Sequence, residues 1–139
     1  MAIPNSPTAR LFYRAATERY EDASVLLRLN RTTGAVYLAG YGIENMLKAL
    51  IVSSVPRSQE PQVLVRFRGN QAHSYEWLIQ FYREIAKATI PNFLQLHFSR
   101  VTIWSTTMRY KPDAVDDNLA AQFFQSVDTI VQWVEGRLA

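Results

Sequence analysis

Two short patterns in this chain have residue types and spacing that suit chemistry. The first is Arg68-Gly69-Asn70-Gln71-Ala72-His73, an arginine followed by four residues and a histidine. A histidine near neutral pKa moves protons, and an arginine steadies a phosphate that gains charge. Arg68 and His73 are therefore candidate catalytic residues for cleavage of a phosphodiester. The alternative for His73 is a local role, capping or buttressing the helix that follows. The second pattern is Glu44 and Lys48, an acid and a base four apart inside the most apolar stretch of the chain. That order suits an ion pair on one helical face. Buried charge is costly unless paired, so the pair points to a polar pocket or interface. Arg109-Tyr110 adds a third candidate: a guanidinium suits phosphate and a phenol ring stacks on a base. Glu44, Lys48, Arg109 and Tyr110 are the candidate ligand-binding residues. Arg109 could instead bond Glu44 or helix-end carbonyls. His97, in FLQLHFSR, reads as a hydrogen-bonded packing residue. Two histidines and no cysteine leave no metal site to expect.

The elements that must position these groups read as helices. Thr33 to Val52 is the organising segment, with Ala35, Leu38, Ala39, Gly42, Ile43, Met46, Leu47, Leu50 and Ile51 at helical spacing. So wide an apolar face suits a central helix touched on several sides. Ala39, Gly40 and Gly42 would let another backbone come close. Before it, Ser6-Pro7 opens a helix that runs from Thr8 to Leu29. The short link Asn30 to Gly34 makes these two an antiparallel hairpin. Residues 54–72, with Pro56, Pro61, Gly69 and Asn70, read as a long loop made basic by Arg57, Arg66 and Arg68, with a weakly extended run at Val63–Arg68. Ser74 caps a third helix whose buried side is Trp77, Leu78, Phe81, Tyr82 and Ile85. A shorter helix follows Pro91 to about Thr106, with Phe93, Leu96, Val101 and Trp104 inward. A loop at Thr106 to Pro112 precedes the last helix, capped by Asp113 or Asp116. Its stripe is Phe123, Phe124, Val127, Ile130, Val131, Val134 and Leu138. The expectation is one all-α domain over 1–139, an up-and-down bundle of four to five helices.

Composition narrows the classes. In 139 residues, 48% are hydrophobic and 19% charged, enough for a core. The absence of cysteine rules out disulfides and thiol chemistry. Glu44 and Lys48 interrupt the best apolar run, so no membrane association is expected. There is no signal-peptide pattern, and a cytoplasmic location is expected. The net charge of +3 permits an anionic partner without the dense basic runs of a dedicated nucleic-acid binder. No glycine-rich phosphate cradle, paired-carboxylate site or serine–histidine–acid set is present, and no cofactor is called for.

Four motifs in order carry a resemblance: AxxRYEDAxxLL from Ala16, the second-helix run ending ENMLKALIV, HSYEWL from His73, and MRYKPD from Met108. Together they resemble the HEPN domain family of small helical bundles, over about Thr8 to Leu138. The positions are Glu44, Leu47, Lys48, Ala49 and Leu50, then His73, Trp77 and Leu78, then Arg109 and Tyr110, with Lys111 displacing Pro112. Many members of that family are RNA-cleaving toxins or defence ribonucleases that pair an arginine with a histidine four to six residues on. The matching arginine here is Arg109. Ala114 stands fifth after it and no histidine follows. Other members are non-catalytic, work beside a small nucleotidyltransferase, and have been proposed to bind nucleotide or RNA. The resemblance implies a homodimeric binding module for nucleotide, RNA or a nucleotidyltransferase-type partner, possible in a toxin–antitoxin or defence setting. The alternatives are a metal-independent ribonuclease using Arg68 and His73, or a purely structural interaction domain.

Overall fold

A computed structural model describes residues 3–105, 108, 110 and 115–138. Among them the chain is an all-α bundle of six helices: α1 (Pro7–Arg28), α2 (Thr32–Ser53), α3 (Glu60–Arg66), α4 (Tyr75–Ala86), α5 (Asn92–Val101) and α6 (Asp117–Glu135). Ser6 caps α1 by accepting from the Ala9 amide, with Pro7 in the first turn. Three residues, Leu29 to Arg31, then reverse the chain into α2, with Asn30 at φ 60°.

α2 is the central helix. It packs against α1, α3, α4 and α6, and from Ala35 to Val52 most of its side chains are buried. By length and composition it could cross a bilayer, but 78% of its most apolar window is buried in the protein. Gly42 is where α1 comes close: a Cβ there would lie 3.4 Å from the Ala16 carbonyl oxygen. Gly40 serves a different neighbour, the Trp104 ring, whose atoms would lie 2.0 Å from a Cβ. At the start of α2, the Thr32 hydroxyl donates to the Val115 carbonyl and Thr33 Oγ1 accepts from the Val115 amide. This pins the entry to α6. Asp116 caps α6 by accepting from the Leu119 amide at 2.8 Å; Asp113 lies outside the described residues.

The described residues form six helices where four to five were expected, and two further expectations are corrected. Residues 54–72 are not a loop, nor is 63–68 extended. A 3-10 turn at Arg57–Gln59 leads into α3, and a second at Asn70–His73 leads into α4. Pro61 sits in the first turn of α3, where a missing N–H costs nothing. Val63 packs into the core and Phe67 lies between Phe12 and Phe81, edge to face with each. The second correction concerns the phase of α5. Phe93 and Leu96 are exposed, 59% and 57%, while Leu94, Phe98 and Val101 are the buried residues. The helix ends at Val101, and Trp104 is buried beyond it.

Candidate functional site

The polar centre of the bundle begins with Glu44. Its side chain is only 5% exposed, and both carboxylate oxygens are engaged. Oε2 accepts from Lys48 Nζ at 2.9 Å, one helical turn along α2. Oε1 lies 2.9 Å from His73 Nδ1, across the bundle. Lys48 is itself buried, and its ammonium also lies 5.5 Å over the Phe67 ring. A buried carboxylate is tolerable here because a buried cation neutralises it and a second donor satisfies its other oxygen.

His73 reaches Glu44 because of how the chain turns before α4. Gly69 takes φ 94°, a region side chains avoid, and this redirects the backbone into the Asn70–His73 turn. Ala72 buries its methyl, the Gln71 amide nitrogen donates to the Arg68 carbonyl, and Ser74 caps α4 by accepting from the Trp77 amide. The imidazole is 42% exposed. A carboxylate only accepts, so Nδ1 donates to Glu44, and in the neutral ring Nε2 carries the lone pair. Nε2 has no partner among the described residues.

Behind His73 stands an aromatic wall. The Tyr75 hydroxyl donates to the Gly40 carbonyl at 2.8 Å, and the ring stacks on Trp104 with centroids 5.2 Å apart. Trp104 Nε1 donates to the Tyr37 carbonyl at 2.8 Å, and Tyr41 meets the same indole edge-on. Burial first, and then the charge of Glu44, hold the Tyr75 phenol well above its ordinary pKa. It therefore remains a neutral donor that fixes the wall. In front of the wall is a cleft of about 340 Å³, lined by Asn70, His73, Ser74, Glu76, Thr102 and Trp104 among others. Its rim offers an amide, hydroxyls, one carboxylate and the imidazole.

The structure thus gathers Glu44, Lys48 and His73. It does not add Arg68, which is exposed and makes no hydrogen bond or ion pair to this cluster. Tyr110 is 73% exposed, and Arg109 lies outside the described residues. His97 has the packing role expected of it: Nδ1 lies 3.0 Å from the buried Ser126 hydroxyl. No group of three or more metal-ligating side chains occurs among the described residues. Tyr75 and Trp104 were not singled out as site residues by the sequence. Tyr75 follows His73 by two positions, which carries no signal of its own. Trp104 meets α2 only through the tertiary fold. Comparison with family models, curated proteins and solved structures gives no match.

Proposed function

We propose that this chain is a HEPN-like binding module that takes a nucleotide or the single-stranded part of an RNA in the cleft at His73. One observation carries the reading. His73 is held through Nδ1 by a buried, lysine-neutralised carboxylate, and its outer nitrogen borders a polar cleft. An imidazole so placed bonds a phosphate oxygen when protonated and a ribose hydroxyl when neutral. Asn70, Thr102 and Ser74 can bond a base or sugar edge. A homodimer, a nucleotidyltransferase-type partner and a cytoplasmic, toxin–antitoxin or defence role belong to this reading through the resemblance alone. Titration with AMP, ATP and short single-stranded RNAs, followed by calorimetry and amide shifts, tests it. Saturable binding that His73→Ala weakens supports the module. No heat and no shift with any of them leaves a structural interaction domain.

The Glu44–His73 hydrogen bond also favours a second reading, a metal-independent ribonuclease. A carboxylate on Nδ1 orients the ring with Nε2 toward the cleft. Nε2 would accept the proton of a ribose 2′-hydroxyl as that oxygen attacks the adjacent phosphorus. The 5′-oxygen would leave with a proton from the solvent or from the imidazolium. Cleavage of RNA in EDTA that disappears in His73→Ala decides for the enzyme; binding without cleavage decides for the module.

A further inference from the structure

A second polar site lies between the last turn of α2 and the first turn of α3, away from His73. Glu60 is only 7% exposed, yet no hydrogen bond or ion pair reaches its carboxylate among the described residues. It lines a cleft of about 260 Å³ with Ser53, Val52, Val55 and Pro56 on one side and Asn5, Ser6 and Arg57 at the edge. The Ser53 hydroxyl on the same cleft is buried without a hydrogen-bond partner. The 22-residue α2 ends here with no basic residue in its last turn, so the negative end of its dipole is not offset from within the helix. Arg57, itself on the cleft lining, and Arg10 both donate to the Asn5 carbonyl at 3.1 Å, Arg10 also donates to the Pro4 carbonyl, and neither forms an ion pair with Glu60 among the described residues. A carboxylate that no protein donor meets and whose oxygens reach the cleft, a buried hydroxyl without a partner and a helix C-terminus all favour a donor that carries positive charge.

We propose that this cleft binds an alkylammonium group, the chemistry presented by a lysine side chain or a free aliphatic amine. The ammonium donates to the Glu60 carboxylate and to Ser53 Oγ, while Val52, Val55 and Pro56 cover the methylenes. A single carboxylate is too poor a donor set for a hard divalent cation, which takes six or more oxygens. The proposal is independent of the His73 reading.

The test is an amide-shift titration of the whole chain with n-butylammonium chloride against tetramethylammonium chloride at equal ionic strength. Saturable shifts confined to residues 52–60 are expected for n-butylammonium alone. Glu60→Gln should weaken binding roughly tenfold, the loss of one charge-assisted bond, and Ser53→Ala less. Arg57→Gln should tighten it by removing a competing cation. Shifts that do not saturate, that both salts produce, or that survive Glu60→Gln overturn the proposal. A lysine-bearing peptide compared with its norleucine counterpart then separates the sources. Tighter binding of the lysine peptide than of butylammonium assigns the site to a protein partner, and equal binding assigns it to small amines.

Discussion

Gly40→Ala is a small change that should have a large cost. The glycine lies inside α2, where alanine alone is favoured by about 1 kcal/mol. The new Cβ, however, would fall 2.0 Å from the Trp104 indole. The indole cannot step aside cheaply. It stacks on Tyr75, meets Tyr41 edge-on and donates to the Tyr37 carbonyl. Overpacking of this kind costs about 1–3 kcal/mol. Loss of the buried Nε1 bond adds about 1 kcal/mol, and disturbing the aromatic pairs adds about 0.5–1.5 kcal/mol. After the helix gain is subtracted, the net loss is about 1.5–4.5 kcal/mol, or roughly 5–13 °C in melting temperature for a chain of this size. Thermal unfolding followed by circular dichroism measures it. Gly34→Ala is the control: its Cβ would meet only the Leu26 Cδ1 at 3.4 Å, so the helix preference should show as a neutral or slightly raised melting temperature. A double-mutant cycle of Gly40→Ala with Trp104→Ala should be strongly non-additive, because the indole is the obstacle. An unchanged or higher melting temperature for Gly40→Ala, with Gly34→Ala no better, would refute the packing of Trp104 against α2.

Three further outcomes test the remaining structure. Glu44→Ala strands the buried Lys48 and should cost roughly 3–5 kcal/mol in urea unfolding, whereas Glu44→Leu with Lys48→Met should cost much less; a loss below about 1 kcal/mol for the single change contradicts the buried pair. On α5, Leu94→Ala should cost about 2–5 kcal/mol, while Leu96→Ala should stay within about 0.5 kcal/mol; the reverse order would restore the phase expected from sequence. Burial, followed by its bond to Glu135, pushes the Tyr13 phenol up to about 12, and burial with Asp128 raises Tyr20 as well. A phenol whose folded pKa exceeds its unfolded value of 10.0 stabilises the protein fully below that value. That stability is lost as pH rises toward the folded pKa. Urea midpoints should therefore fall steeply between about pH 10 and pH 12, and Tyr13→Phe should flatten the fall.

How much of this was legible in the sequence depended on the length of each signal. α2 and α6 run for 22 and 19 residues, enough turns for a stripe to declare its phase. The acid–base pair at Glu44 and Lys48 was legible because i and i+4 are neighbours by local geometry alone. α3 has seven residues, fewer than two turns, and its β-branched Val63 and Val65 favoured the reading of an extended run. Pro56 and Pro61 look like breakers, and only the structure shows Pro61 inside a first turn. α5 failed for another reason. FLQLHF carries large apolar residues on two faces, so Phe93 with Leu96 competes with Leu94 with Phe98, and packing on α6 makes the choice.

The site divides along the same line. Half of the Glu44 environment, Lys48, is local and was read; the other half, His73, is 29 residues away and was not. Yet the two halves depend on each other. Glu44 with Lys48 alone would be a closed, neutral pair with one carboxylate oxygen unsatisfied in the interior. His73 fills that position and thereby fixes its own proton on Nδ1 and turns Nε2 outward. The buried charge on α2 is therefore not just accommodated by the fold: it sets the tautomer of the one histidine that borders the cleft. For this reason Glu44→Gln is more informative about function than His73→Ala. It keeps the size of the side chain and a hydrogen-bonding group toward His73, but removes the charge that holds the imidazole proton. Ligand binding at the cleft that is indifferent to Glu44→Gln, in a protein still folded, would separate the cleft from the polar centre of the bundle and break the chain of inference between them.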